Sequence, residues 1–515
     1  MRNALIYRFD AYRQESLRGF KELEGEGDIR VRLHFTAFET DPEFEDAESI
    51  PHDFYFRFDD FDEGKARIEK YAEYEYLFPE FQELLSRHYV ETGGYRTLAS
   101  YRSLFSDRGL FYRLISFYLN RLETYQIDLV VFDEIPHFGG SWLCYKIAQS
   151  LNIQCVLFLQ SVVRERCLCV ETIEQLGHLD DRPDLTNEPL NFDWEEPDVA
   201  GWYMKRDQPN ATQARLETLT QDIYSHWFEG FTEFREIIEN HPEHKKFVRE
   251  YLLAKWLPNG EKYEKRYLQR LEQFYNERQL DVIQAELNQL NHVTGRLQSI
   301  EANEGYIATV ENEPDFESDF ALFALHYQPE LTTQPLGGRF GDQIRAVEEL
   351  ARILPESMTL FVKDHPMDQG VVRGRDFYRR LAQIDNVKLI PTELNSIALI
   401  KKAKWVATIT GSMGLEAILR GVPAITFGYA WYNGLPGVFR FEDLELEAIC
   451  NCAIDKAQLK SEIENRARKL ANVVAEWGLK DEHLPESFDP GKNACEFKKL
   501  LRNLLAQDVP ARRSA

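Results

Sequence analysis

Two short segments in the carboxyl-terminal half place phosphate-binding residue types where a buried strand gives way to a turn. The first is Thr408-Ile409-Thr410-Gly411-Ser412-Met413-Gly414-Leu415-Glu416-Ala417. A strand ending in small residues and running into a helix lets the backbone of Gly411 and Gly414 approach a ligand closely. It also lets Ser412 cap the helix or bond a phosphate oxygen, and it offers the unpaired amides of a helix start. Glu416 is expected in the first helical turn, as an acceptor for ribose hydroxyls. The second segment is Leu360-Phe361-Val362-Lys363-Asp364-His365-Pro366. Here a strand delivers Lys363 to neutralise phosphate and His365 to donate to a phosphate or a ribose, and Pro366 stops the strand. Open α/β sheets bind ligands beyond the carboxyl ends of their strands, so two such loops in one sheet open on one crevice. Each loop alone has a plainer reading, Ser412 as a cap and His365-Pro366 as a turn.

A third segment, Asp133-Glu134-Ile135-Pro136-His137-Phe138-Gly139-Gly140, follows the apolar run Ile127–Phe132. Carboxylates at a strand end beside a glycine-rich turn are suited to general-base work in a cleft. An acid capping the next helix and a packed histidine is the alternative. Asp133 and Glu134 are not ranked, because successive side chains on an extended backbone diverge.

Other patterns carry less. No G-x-G-x-x-G and no G-x-x-x-x-G-K-[ST] occurs, which argues against hydride transfer and ATP hydrolysis. Asp60-Phe61-Asp62 has a D-x-D form that is common by chance. Cys167-Leu168-Cys169 and Cys450-Asn451-Cys452 lack zinc-ligand spacing and read as packed thiols, and His241 and His244 read as a solvated helix entrance. No metal site is expected. Tyr429, Trp431 and Tyr432 suit either a pocket wall or a core.

These loops need strands and helices to hold them. Ala4–Phe9 and Ile29–Phe35 read as strands, Tyr101–Tyr125 as a helix, and Ile127–Phe132, Trp142–Leu151 and Gln154–Leu159 as a β-α-β unit. Residues 170–208 read as a surface connection and residues 211–300 as mostly helical. Strands are expected at Phe320–Leu325, Thr359–Lys363, Val387–Leu389, Trp405–Thr410 and Ala424–Phe427. Helices are expected at Asp342–Leu354, Phe377–Gln383, Ser396–Lys402 and Leu415–Leu419, the last closed by Gly421. Further helices near Lys456–Trp477 and Ala494–Leu505 are placed to pack back on the first domain. Residues 510–515 read as a frayed tail.

At 515 residues the chain exceeds one compact core, and 43% hydrophobic residues suffice to fill two. The expected division is 1–169, an amino-terminal Rossmann-like domain; 170–310, a linker and helical insertion; 311–480, a second Rossmann-like domain; and 481–515, a helix and tail. The net charge of −25 opposes nucleic acid as a partner. Arg8 and Asp10 interrupt any signal-peptide core, no apolar run approaches membrane-spanning length, and seven cysteines form no secreted framework. A soluble, cytoplasmic chain is expected, and peripheral membrane contact remains open.

The motifs K-x-H-P, [ST]-x-S-x-G-x-E-A and G-x-P-x-I-T-x-G, the last at Gly421–Gly428, together resemble the capsule polysaccharide biosynthesis family, which includes β-Kdo transferases. Leu325–Glu330 also resembles a segment of such relatives. The resemblance is good over residues 320–440 and weak in the amino-terminal half. It implies a GT-B-like α/β fold, two Rossmann-like domains facing a cleft, with a largely helical insertion. It implies a metal-independent glycosyltransferase with a nucleotide-sugar donor substrate and no other cofactor. The acceptor would be a glycan or glycolipid, a surface polysaccharide or its lipid-linked primer. The chain would work in the cytoplasm, at the inner face of the membrane or within a polysaccharide-assembly complex. Lys363, His365, Pro366, Thr410, Gly411, Ser412, Gly414 and Glu416 would hold the nucleotide, with a CMP-linked donor favoured over UDP or GDP sugars. Asp133, Glu134 and His137 would act on the acceptor side. Many relatives have paired hydroxyl residues where this chain has Gly411-Ser412, so one phosphate contact would be absent or made by backbone. A nucleotide-sugar 2-epimerase and a non-catalytic scaffold of a polysaccharide-assembly complex are the alternatives.

Overall fold

The computed structural model describes residues 1–9, 14–36, 43–52, 61–91, 104–161, 166–180, 182–188, 305–306, 308–311, 313–328, 330–365, 373, 375–474 and 488–506. The 211–300 region, Asp60, His241, His244, Pro366 and the 510–515 tail lie outside them.

Alternating strands and helices build two parallel sheets. The first comprises β1 (Arg2–Tyr7), β2 (Ile29–Thr36), β3 (Glu48–Pro51), β4 (Leu129–Phe132), β5 (Gln154–Gln160) and β6 (Cys167–Val170), in the order β3-β2-β1-β4-β5-β6. Only β6 runs antiparallel, against β5. The second comprises β7 (Phe320–Ala324), β8 (Thr359–Lys363), β9 (Val387–Ile390), β10 (Val406–Thr408), β11 (Ala424–Thr426) and β12 (Val438–Arg440), ordered β12-β11-β10-β7-β8-β9 and parallel throughout. The central strands β4 and β7 are buried at every position, which is why they read as unbroken apolar runs. The expected pair of Rossmann-like α/β domains is present.

The first sheet is covered by α1 (Gln14–Gly25), α2 (Ile68–Tyr74), α3 (Phe78–Glu91), α4 (Leu104–Thr124) and α5 (Gly139–Ser150). The second carries α6 (Gln343–Ile353), α7 (Arg375–Leu381), α8 (Ser396–Lys402), α9 (Ser412–Leu419), α10 (Leu446–Cys450) and α11 (Lys456–Ala467). Ile344, Val347, Leu350 and Ala351 give α6 a single buried stripe. The Asn395 side chain caps α8 by accepting from Ala398 N–H at 3.0 Å. Gly421, at φ +81°, closes α9 while Val422 N–H bonds Ala417 O, an ending that needs the left-handed conformation glycine adopts freely.

Of the helix boundaries that differ from the sequence reading, three change what surrounds the loops or the domain contacts. α9 starts at Ser412, with Gly411 as its N-cap and no side-chain cap bond, so Ser412 is the first helical residue and Glu416 lies beyond the first turn. α5 takes in Gly139 and Gly140, so they open a helix instead of forming a turn, and Phe138, not an acid, occupies the cap. α11 ends at Ala467, and the chain then pairs with β6 through reciprocal Cys167–Ala471 backbone bonds of 2.9 Å.

The last helix, α12 (Pro490–Leu505), returns to the first domain and packs on α1. Asp489 caps it through Gly491 and Lys492 amides, and Phe497 sits among Phe9, Phe20 and Phe158 at ring separations of 5.7, 5.2 and 5.5 Å. Cys167 and Cys169 are buried in β6, whereas Cys450 and Cys452 lie at the end of α10 in the other domain. Among the described residues no helix is long and apolar enough to cross a membrane.

Candidate functional site

Parallel registry brings three strand ends of the second sheet level: Ala324 of β7 pairs with Lys363 of β8 on one side and with Thr408 of β10 on the other. The residues just beyond these positions line a cavity of about 440 Å³. Lys363, His365, Thr410, Gly411, Ser412 and Glu416 all face it. Leu159 and Gln160, at the end of β5, line it from the first domain, so it lies between the two domains. Tyr429, Trp431 and Tyr432 form another part of the wall, and Tyr432 is also fully buried in the second domain's core.

The glycines of the Thr410–Glu416 loop serve packing. A Cβ on Gly414 would come within 2.4 Å of the Tyr432 hydroxyl, and that hydroxyl donates to Gly411 O at 2.5 Å. Gly414 therefore sits behind the cavity wall and admits the tyrosine that fixes the loop. A Cβ on Gly411 would lie 2.8 Å from Thr408 Oγ1 and 3.0 Å from His326 Nε2. Gly414 N–H bonds Gly411 O at 3.2 Å, so the amides of Ser412 and Met413 precede the first internal bond of the helix and, among the described residues, have no acceptor.

His326, two residues beyond β7, is the principal member that sequence reasoning left without a role. Its Nε2 accepts Thr410 N–H at 3.2 Å and lies 2.9 Å from Thr408 Oγ1. Its Nδ1 lies 3.0 Å from Thr332 Oγ1, which donates to Glu330 Oε2 at 2.6 Å. Its position at a strand end in the quoted Leu325–Glu330 segment was the available signal. The second missed element is a clasp. Arg373 pairs with Asp364 at 3.0 Å, donates to Gln328 Oε1 at 2.9 Å and bonds His326 O, while Tyr378 donates to Asp364 at 2.6 Å. The Asp364 carboxylate is thereby occupied, and it also receives His365 N–H at 2.7 Å.

The electrostatics follow from burial. The Lys363 amine, 3% exposed, is pushed down to about 8 by desolvation, against the opposing pull of Asp364 and Glu393. Among the described residues its Nζ makes no ion pair or hydrogen bond. Burial lowers His365 to about 4, with Asp364 opposing and Lys363 and Arg373 adding to the shift. Burial, then His365 and Arg373, takes His326 to about 3. Both imidazoles are neutral near pH 7, so among the described residues lining the cavity Lys363 is the desolvated cation that an entering anion would stabilise in charged form.

The first-domain residues form a separate cluster. Arg8, at φ +63° just after β1, lies 2.7 Å from Glu134 and 4.0 Å from Asp133, all three buried. His137 Nδ1 donates to Ile135 O at 2.8 Å and lies 3.7 Å from Glu134. Asp133, Glu134 and His137 do not line the cavity. They sit beyond β4, the strand beside β5, since Phe132 pairs with Leu157. Among the described residues no group of three or more His, Cys, Asp or Glu is arranged to hold a metal ion.

Residues 336–448 match the family model described as capsule polysaccharide biosynthesis protein, which bears out the resemblance carried by the loop motifs. A capsule polysaccharide modification protein, LipA of Neisseria meningitidis serogroup B, is 37% identical over 75 residues, covering 15% of this chain and 10% of the relative. The chain thus spans about a tenth of the curated relatives it matches. Among solved structures, the β-Kdo 2,4 transferase of Thermosulfurimonas dismutans KpsC is 11% identical, with a TM-score of 0.28, covering 68% of this chain and 84% of that one. The UDP-GlcNAc 2-epimerase of Methanocaldococcus jannaschii is 12% identical, with a TM-score of 0.20 and coverage of 98% and 99%.

Proposed function

We propose that this chain is a glycosyltransferase that moves a sugar from a nucleotide-activated donor, CMP-linked in the favoured reading, to a capsular or other surface polysaccharide or its lipid-linked primer. The observation that carries the reading is the convergence of Lys363, His365, Thr410, Gly411, Ser412 and Glu416 on one interdomain cavity. The match of residues 336–448 to the capsule biosynthesis family supports the biological setting.

In this reading Lys363 and the amides of Ser412 and Met413 meet the donor phosphate, where they would stabilise the charge that develops as the nucleotide departs. His365, neutral, donates to a phosphate oxygen or the ribose, and Glu416 accepts from ribose hydroxyls. Pro366 follows His365 in the K-x-H-P motif. Gly414 contributes by admitting Tyr432 behind the loop. The acceptor hydroxyl is activated from the first domain by the Asp133–Glu134–His137 cluster, in which the His137 ring is held by its Nδ1 bond to Ile135 O. The donor is a substrate, and no further cofactor or metal is assigned. The protein would work in the cytoplasm, attached at the inner membrane face or to an assembly complex through local contacts.

Thermal stabilisation by CMP, UDP, GDP and NAD at matched concentrations tests the donor site, since a ligand at 100 times its Kd adds about 2.7 kcal/mol. A selective CMP shift supports the favoured reading, and a UDP shift favours a UDP-sugar transferase or an epimerase. No shift in folded protein removes the donor-site reading. With donor and glycan acceptor, His137→Gln and Asp133→Asn should abolish transfer while nucleotide binding persists. Binding without turnover in the wild type would leave a scaffold.

A further inference from the structure

Three strand ends meet at one residue, His326. His326 follows β7, Thr408 ends β10 with Thr410 two residues beyond it, and the Arg373 clasp ties His326 O to Asp364 beyond β8. A backbone N–H can only donate, so the Thr410 amide fixes Nε2 as an acceptor, and the ring proton resides on Nδ1. That proton has Thr332 Oγ1 at 3.0 Å, whose own hydroxyl is committed to Glu330. The donor sequence therefore has one direction, from His326 through Thr332 to Glu330. On the other side, Gly411 N–H donates to Thr408 Oγ1 at 3.3 Å, and Thr410 Oγ1 donates to Thr332 O at 2.6 Å. Two consecutive amides, Thr410 and Gly411, are thus turned inward onto the His326–Thr408 pair. The next two, Ser412 and Met413, start the helix at the cavity wall. The close approach of Gly411 to His326 leaves no room for a side chain that would break this arrangement.

We propose that His326 is a positioning residue of the donor cavity, which holds the Thr410–Met413 loop through Nε2 so that the helix-start amides meet the phosphate of the ligand. The inference rests on the nucleotide-binding reading of that cavity. It assigns His326 no contact with the reacting atoms. What matters is an acceptor at the Nε2 position, and a glutamine oxygen reaches about as far.

The test compares His326→Ala and His326→Gln by two measurements on the full chain. Amide hydrogen exchange across residues 409–413 is followed without ligand, and affinity for CMP, UDP and GDP is measured by calorimetry. Loss of a buried acceptor predicts at least tenfold faster exchange at Thr410 and Gly411 in the alanine variant, and nucleotide binding weakened about tenfold to a hundredfold. The glutamine variant should recover most of both. A folded alanine variant with wild-type exchange and affinity overturns the proposal, as does a folded glutamine variant more than tenfold weakened. If alanine prevents folding, the glutamine variant alone decides by the same criterion. If the wild type binds none of the three nucleotides, the donor-site reading fails, while exchange still shows whether His326 holds the loop.

Discussion

At the carboxyl edge of the first sheet, Arg8 lies buried against Glu134 and Asp133, and its guanidinium also covers the Phe138 ring at 5.5 Å. At the same edge of the second sheet, Lys363 is equally buried, yet its nearest carboxylate in sequence, Asp364, is engaged by Arg373 and Tyr378. Both folds carry a cation to the place where parallel strands end. In the first domain the surrounding carboxylates close the charge internally. In the second the adjacent carboxylate, Asp364, is occupied elsewhere, and the cation is left facing a cavity. The neighbours, more than the fold, decide whether a strand-end charge is structural or receptive.

Removing each cation should separate the two cases. Arg8→Met leaves two buried carboxylates without their partner, and unfolding by denaturant should show a loss of about 3–5 kcal/mol. A change below 1 kcal/mol would mean that the Arg8 cluster is not closed. Lys363→Met should act oppositely on the free protein, stabilising it by about 1–3 kcal/mol, because an amine held down at about 8 is one that folding disfavours in charged form. The same variant should lose its thermal shift with nucleotide, and destabilisation of the ligand-free variant would erase the contrast.

A pH series reads the same difference without mutation. Lys363 binds its proton less tightly folded than unfolded, so stability should rise with pH between about 8 and the ordinary lysine value of 10.5. Anion binding should show the reverse, with nucleotide affinity falling as pH rises past about 8. His365 and His326 are also depressed, so stability should decline as pH drops from 6.5 through about 4 and about 3. Flat denaturation midpoints across both windows would contradict the burial that sets these shifts. The smallest effect is expected from Tyr432→Phe, which loses the bond to Gly411 O and should cost about 1 kcal/mol. Calorimetric melting checks it, and a neutral result would remove Tyr432 from the supports of the loop.

The central strands were legible because a parallel strand covered on both faces must be a continuous apolar run. Thr359–Lys363 and Ser396–Lys402 matched their elements to the residue. The edge strands Glu48–Pro51 and Val438–Arg440 were not read, since their half-buried residues show neither a run nor an alternation. In the site, Lys363, His365, Thr410, Ser412 and Glu416 were found by type and strand-end position. Arg8 was seen only as an interruption of a signal-peptide core, because its carboxylates lie more than a hundred residues away. The role of His326 depends on Thr408 and Thr410, joined to it only by sheet registry. For Ser412 the choice between capping the helix and bonding a phosphate stays open in the sequence, because residue type does not reveal that the helix starts there.

The return of Pro490–Leu505 to α1 has a practical consequence for dissecting the molecule. Phe497 fills a site between Phe9, Phe20 and Phe158, and the Cβ position of Gly19 lies 2.9 Å from its ring. Arg502 and Lys498 tie the same helix to Asp28 and Glu22 at 2.6 and 2.9 Å. A fragment ending after the first sheet would expose that aromatic socket to solvent, and its insolubility would say nothing about the sheet itself. Separate expression of the amino-terminal half calls for grafting residues 489–505 back on through a linker, whereas trimming the chain from its far end would injure the domain that begins it.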